Sequence, residues 1–423
     1  MKILFIYPVA CEYAYPEYLD KKLDPDLFDR EIMANTDLDV RYLTGFQELK
    51  HECVLFYPRR NNVTIKEFRH RGGYRMIRFP ITFFEGKIGM EFPFKMIRFI
   101  KKEKPDIVQY IGGWEGGKIY YFRFFNWVAL YCWLNRIPCI PFYHVGGLKA
   151  GKKARFIRNI PVLKQIEIFF RSWSFKISPG ITFINHVGYE RMYNPNHPEY
   201  YGIDFSKVPA KLQFNTYNPE HFFPVPREEA VRKAGLDPAK KYLIMVSRLF
   251  REKGLHIIVH LMPRLLERFP DIHLLVVGDF IEEARDYRNE LMNFIEKNNL
   301  ADKISFLGRL EHHQGLVYYI NSSEAFILPT YKDTFAAVNI EALACEIPVI
   351  TTNKDEEIPY YLEPEVGFCI EHYDQEALYN ACVKILCGQF IFDKEKNREI
   401  LAKYNYKTAS AEMIDWFKHL RKH

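Results

Sequence analysis

Residues 242–279 read YLIMVSRLFREKGLHIIVHLMPRLLERFPDIHLLVVGD, and the reading of this stretch decides the fold. YLIMVSRL and IHLLVVG are apolar runs of strand length, and GLHIIVHLMPRLLERFP between them has the apolar pattern of a helix. The strands are near-continuous apolar runs, as in a parallel sheet covered on both faces. The rhythm continues downstream through ARDYRNELMNFIEKNNL (helix), KISFLG (strand), QGLVYYINS (short helix), EAFILPT (strand), FAAVNIEALACE (helix) and IPVITT (strand). DQEALYNACVKILC and DKEKNREILAKY follow as helices.

An earlier series has the same rhythm. KILFIY at residues 2–7 reads as a buried first strand. VRYLT, CVLFY and YRMIRFPIT are further strand candidates. FKMIRFIKKEKP is helical up to Pro105 and leads into the strand DIVQYI. GKIYYFRFFNWVALYCWLNR is a long apolar helix, and IPCIPFYH and GITFIN are strands. FNTYNPEHFFPVPREEA, rich in Asn and Pro, joins the two series as a hinge. The expected architecture is α/β, with two doubly wound, Rossmann-like parallel-sheet domains facing across a cleft. The expected spans are 1–216, 217–400, and a C-terminal helical segment, 401–423, that crosses back to the first domain.

Composition narrows the class. The chain has 423 residues, 48% hydrophobic and 26% charged, enough for sizeable cores and unlike a disordered chain. The eight cysteines are scattered without a CxxC pair or a zinc-like Cys/His spacing, as expected of reduced thiols in a cytoplasmic protein. No apolar run reaches the length of a membrane span. MKILFIYPVAC is read as a first strand rather than a lipoprotein signal, because Pro8 interrupts a short apolar run. The net charge of +6 hides an asymmetry: residues 51–200 carry 25 Lys and Arg against 10 Asp and Glu.

Four segments can carry chemistry. In VSRLFREKG, Arg248 follows a strand and Lys253 precedes a helix, which suits a diphosphate and equally a solvated basic loop. In LLVVGD and ISFLGRL a strand ends in glycine, Gly278 in the first case, so backbone can approach a flat ligand or simply turn. In KDTFAAVNIEALACE, Asp333 sits near the N-cap of a helix that starts close to Thr334. The N–H groups it would cap could instead face a phosphate. Glu341 lies about two turns in, where a carboxylate can accept two hydrogen bonds from a vicinal diol. Taken alone, the segment is either a capped helix with a solvated glutamate or a site.

The order of these pieces resembles the C-terminal domain of GT-B glycosyltransferases, in particular the retaining family 4. The matching elements are SRLFREKG, VVGDF, FLGRL and DTFAAVNIEALACEIPVI, over roughly residues 241–370. The resemblance implies that Arg248 and Lys253 hold the donor diphosphate as it leaves and that Glu341 binds ribose hydroxyls. It implies that Asp333 meets the donor sugar, with backbone at Phe335 and Ala336 against sugar or phosphate. Arg309 and Leu310 would border the base, and His144 in YHVGG would face the donor sugar. The implied reaction is metal-independent retaining transfer from a UDP- or GDP-sugar to a glycan or lipid-linked acceptor held by the first domain. No cofactor is expected, the nucleotide-sugar being a substrate.

The chain departs from the pattern in four places. Asp333 stands for a longer glutamate, and TFA replaces GFG. Phe280 replaces the second glycine of the VGDG turn, and CEYAYPEY replaces an early Gly-Gly loop. GGWEGG at 112–117 either lines the cleft instead or makes tight turns around Trp114. These departures keep two alternatives open: a non-catalytic scaffold of the same fold, and a relative such as a sugar-nucleotide epimerase or phosphorylase. Interleaved cations and aromatics in residues 51–200 suit an anionic membrane surface at the cytoplasmic face. They would also suit a polyanionic or lipid-diphosphate acceptor. No nucleic-acid module occurs, and no nucleic-acid partner is expected.

Overall fold

The computed structural model describes residues 1–6, 41–60, 65–81, 83–84, 87–88, 92–111, 119–143, 173, 175–198, 200, 204–281, 284–310, 315–331, 333, 335–352 and 357–422. The chain divides into two compact units. Met1–Phe214 with Ala409–His423 form one, and Asn215–Thr408 the other.

In the first unit the elements are β1 (Lys2–Ile6), α1 (Arg41–Glu48), β2 (Glu52–Arg60), β3 (Lys66–Arg69) and β4 (Arg75–Ile81). After the small hairpin β5 (Phe83–Phe84) and β6 (Lys87–Ile88) come α2 (Phe92–Glu103), β7 (Ile107–Ile111), α3 (Ile119–Leu134) and β8 (Cys139–Tyr143). β9 (Ile181–Phe183), α4 (His186–Tyr193) and β10 (Ala210–Leu212) complete the series. Eight strands form one sheet in the order β10-β9-β8-β7-β1-β2-β4-β3. Every pair is parallel except β3 with β4.

Alternation along β1 splits the core between the two faces. Leu4 and Ile6 pack with Met96 and Ile100 of α2 and Val128 and Cys132 of α3. Ile3 and Phe5 pack on the other face with Tyr42, Leu43 and Phe46 of α1. That second face also receives Met413, Ile414, Phe417 and Leu420. These belong to the C-terminal helix, Tyr406–Leu420.

In the second unit the elements are α5 (Arg227–Ala234), β11 (Lys241–Val246), α6 (Leu255–Arg268), β12 (Ile272–Val277), α7 (Arg285–Lys297), β13 (Ile304–Phe306) and α8 (Leu316–Asn321). Then follow β14 (Ala325–Leu328), α9 (Ala337–Ala344), β15 (Val349–Thr352), β16 (Gly367–Ile370), α10 (Gln375–Leu386) and α11 (Lys394–Ala402); the C-terminal helix, α12, belongs to the first unit from Ala409 on. The six strands of the second unit are all parallel, in the order β13-β12-β11-β14-β15-β16. This is the doubly wound order, and its direction reverses between β11 and β14.

Two expectations change. The described part of VRYLT, from Arg41, is not a strand but the start of α1. The buried Tyr42, Leu43, Gly45 and Phe46 lie on one helical face, and the i to i+4 pair Tyr42 and Phe46 falls partly outside a five-residue window. β3, β10 and β16, absent from the sequence reading, are short strands at sheet edges, where little apolar patterning is required. Among the described residues no helix is long and apolar enough to cross a membrane. None of the seven described cysteines is in a disulfide, and five of them are buried.

One ion cluster fastens the first sheet to α2. The buried Glu103 carboxylate meets Lys2 Nζ of β1 at 2.6 Å and Arg75 Nη1 of β4 at 3.0 Å. Burial pushes its pKa up, but the bonds from Lys2 and Arg75 outweigh this and hold it below the usual range. Glu103→Gln leaves two cations facing an amide. With the cations partly exposed, the expected loss is about 2 kcal/mol of stability, read by urea unfolding.

Candidate functional site

The site is built at the C-terminal edge of the second sheet, where the order reverses. β11 ends at Val246 and hands the chain to Ser247–Phe250, then to a single 3₁₀ turn, Arg251–Lys253. Gly254 follows at φ 81°, and a Cβ there would lie 2.1 Å from the Pro329 carbonyl oxygen beyond β14. Only glycine fits, so this loop is held tight against the end of β14. β12 ends in the same way. Gly278 has φ 125°, and a Cβ would lie 1.8 Å from the Ser247 carbonyl oxygen. The close approach that Gly278 permits is therefore to the neighbouring loop.

Backbone hydrogen bonds stitch these loops into one surface. Gly278 N–H donates to Gly308 O at 2.8 Å, and Leu249 N–H to Asp279 O at 2.8 Å. Tyr331 N–H donates to Glu252 O at 2.7 Å, and the Thr330 hydroxyl reaches the same oxygen at 3.2 Å. Thr352 at the end of β15 donates its hydroxyl to Thr330 O.

On this frame Lys253 and Asp333 form an ion pair. The other carboxylate oxygen of Asp333 accepts from Phe335 N–H at 3.3 Å and Ala336 N–H at 3.0 Å. Burial pushes the Asp333 carboxyl up. The Lys253 ammonium and the two N–H donors outweigh this and hold it below its ordinary value of 3.8. Arg248 is exposed, with its guanidinium carbon 5.4 Å from the Phe250 ring centre; Lys253 Nζ is 5.7 Å from the same centre. The two cations thus share one aromatic ring.

The helix after this loop starts later than expected. α9 begins at Ala337, and its N-cap is Ala336 at φ 50°, a left-handed conformation, with no side-chain cap. Asp333 therefore orders the loop ahead of the helix rather than capping it, and its carboxylate takes N–H groups that were expected to face a ligand. Glu341 is buried at 2% exposure, which excludes the solvated glutamate. Phe335 is buried among Tyr361 and Tyr404, with ring centres 5.8 and 5.7 Å away. The Tyr361 hydroxyl donates to Phe335 O at 3.3 Å, so the Phe335 ring serves packing. Arg309 is exposed and Leu310 half-buried, just past the Gly308 carbonyl that binds Gly278.

His144, GGWEGG and CEYAYPEY lie outside the described residues. Sequence reading missed Phe250, although its place between Arg248 and Lys253 was a signal. It also missed exposed Tyr331, whose ring centre is 4.8 Å from that of His372. Among the described residues, no group of three or more His, Cys, Asp or Glu is placed to hold a metal ion.

Residues 226–408 match the family model of the glycosyl transferases group 1. The chain is 26% identical over 141 residues to the capsular polysaccharide biosynthesis glycosyltransferase CapM of Staphylococcus aureus, across 33% of this chain and 35% of CapM. It is 28% identical over 165 residues to the lipopolysaccharide core biosynthesis mannosyltransferase LpsB of Rhizobium meliloti, across 38% of this chain and 46% of LpsB. These matches span less than half of either relative. The solved structure of Anabaena HepE in complex with UDP and glucose is similar with a TM-score of 0.65 at 13% identity, covering 99% of both chains. The likeness shows the fold, which is GT-B.

Two outcomes test the loop. Ala336→Gly relieves the left-handed backbone and should raise stability by about 0.5–1 kcal/mol, measured by urea unfolding. The Asp333 carboxyl has a lower pKa folded than unfolded. The stabilisation it contributes is therefore complete above about pH 3.8 and is lost as pH falls through the folded value. The stability gap between wild type and Asp333→Asn should be constant from about pH 8 to 5 and shrink below about pH 4.

Proposed function

We propose, because residues 226–408 match the family model of the glycosyl transferases group 1, that the protein moves a sugar from a UDP- or GDP-sugar to a glycan or lipid-linked acceptor. The setting is polysaccharide or glycoconjugate synthesis, the work named for CapM and LpsB. The observation that carries the reading is the convergence of Arg248, Lys253 and Asp333 at the point where the second sheet reverses its order. Open α/β sheets bind their ligands at that point.

The chemistry follows from the groups present. Arg248 and Lys253 take the donor diphosphate, and their charge stabilises the negative charge that grows as it leaves. The bond from the anomeric carbon to the diphosphate oxygen breaks, and the bond to the acceptor oxygen forms on the same face, retaining configuration. The acceptor proton passes to the departing phosphate oxygen, so no protein base is assigned. Glu341 receives the ribose hydroxyls. Arg309 and Leu310 border the base, beside the turn that Gly278 closes against the Ser247 carbonyl. Asp333 and the backbone at Phe335 and Ala336 meet the sugar and phosphate once Lys253 turns to the diphosphate. The two cations supply the charge that a metal would, and transfer persists in chelator.

A second reading, a non-catalytic binding protein, is favoured by one observation: Asp333 already occupies Lys253 and two backbone donors. Turnover separates the two. With a panel of UDP- and GDP-sugars and acceptors, Arg248→Ala and Lys253→Met should each lower kcat by about 10²–10³-fold with less change in KM. Glu341→Gln should raise the donor KM. Donor binding without any turnover would favour the second reading, and unchanged kinetics in all three variants would reject the assignment.

A further inference from the structure

We propose that the outward face of α2 and α3 docks on an anionic lipid surface. The inference deepens the proposed function, since it rests on an acceptor met at a membrane. The inward faces of both helices are already used: Met96, Ile100, Val128, Ala129 and Cys132 lie in the core against the sheet. Four large apolar side chains nevertheless point to solvent. Phe94 is 62% exposed, Trp127 50%, Trp133 56% and Leu134 65%. Phe94 and Trp127 adjoin across the two helices, with ring centres 6.5 Å apart. Trp127 and Leu134 are seven residues apart, so they share a helical face.

The helices and the turns after them are rich in cations. Lys95, Arg98, Lys101, Lys102, Lys104 and Arg136 are all exposed. The described acids of the same stretch are Glu103 and Asp106. Glu103 is buried against Lys2 and Arg75. Asp106 accepts from Lys2 N–H and pairs with Arg421 at 2.7 Å. The patch therefore presents aromatic and aliphatic side chains among exposed cations. Tryptophan rings belong at the depth of lipid headgroups, and cations meet the phosphates there. Leu134 offers nothing to a nucleic-acid base or phosphate but enters an acyl layer.

Position agrees with docking. α2 leads directly into the start of β7, and α3 into the start of β8. Both helices thus end at the N-terminal edge of their sheet, with Trp133 and Leu134 at that end. Ligands of such sheets use the opposite edge, so a docked patch leaves the ligand edge clear.

The experiment is sedimentation of the full chain with vesicles of phosphatidylcholine alone or mixed with phosphatidylglycerol, at low and high salt. Binding should require phosphatidylglycerol and weaken as salt shortens the screening length. Lys95→Glu with Lys101→Glu and Lys102→Glu should lower the partition coefficient about a hundredfold. Trp127→Ser with Trp133→Ser should lower it at both salt concentrations. Lys297→Glu with Lys403→Glu, exposed cations of the second unit, should leave vesicle binding unchanged. Circular dichroism melts check that each variant folds, and UDP binding should be unchanged in all of them. Equal binding to both vesicles, or equal loss in the Lys297 and Lys403 variant, would overturn the proposal. So would patch variants that bind vesicles normally but lose RNA binding or self-association. Vesicle binding that survives when no nucleotide-sugar turns over would leave this surface standing and remove the transferase reading.

Discussion

Parallel pairing is the constraint on which the rest depends. A strand joined to a parallel neighbour must return through a crossover, so every β-to-α loop of one sheet arrives at the same edge. In the second unit this gathers the ends of β11, β12, β13, β14 and β15 at one rim. Loops so gathered still have to hold a geometry. Here Gly254 and Gly278, each with no room for a Cβ, set the loops against one another. The bonds from Gly278 to Gly308, Leu249 to Asp279 and Tyr331 to Glu252 then fix them. The site residues ride on a backbone lattice, and their side chains are spared the work of holding it.

Within that lattice Lys253 and Asp333 form an ion pair. Its carboxylate does what a bound anion would do, meeting an ammonium and two backbone donors at once. The shorter side chain of aspartate turns back two and three residues onto its own loop. Ala336 accepts a left-handed conformation to close that loop, a position where glycine would be free of strain. The departures from the family pattern at 333 and 336 thus form one linked change in the shape of the loop. Under the proposed function, a donor exchanges its own phosphate for the Asp333 carboxylate at Lys253.

The sequence made the alternating architecture of the second unit legible because its interior strands are buried on both faces and read as unbroken apolar runs. It was less informative at the rims. β3, β10 and β16 are short and at sheet edges, and α1 begins with residues whose helical spacing reaches only as far as Phe46. At the site, Arg248, Lys253, Asp333 and Glu341 could be singled out because charge at a strand end or inside an apolar helix is conspicuous. What could not be read was direction. Nothing in KDTFAA says that Asp333 binds its own loop, that Phe250 lies between two cations, or that Gly278 yields to Ser247 O. Those facts depend on which strands are neighbours, and neighbourhood is set by the whole sheet.

The central claim is that this rim holds the diphosphate of a nucleotide through Arg248 and Lys253. Calorimetric titration of UDP and of GDP into the full chain tests it most directly, with the combined Arg248→Ala and Lys253→Met variant beside it. The account predicts saturable binding of one of the two nucleotides, weakened at least about tenfold in the variant, since each charge-assisted contact is worth about 1.5–3 kcal/mol. Absence of binding by either nucleotide, or equal affinity in the variant, would contradict it.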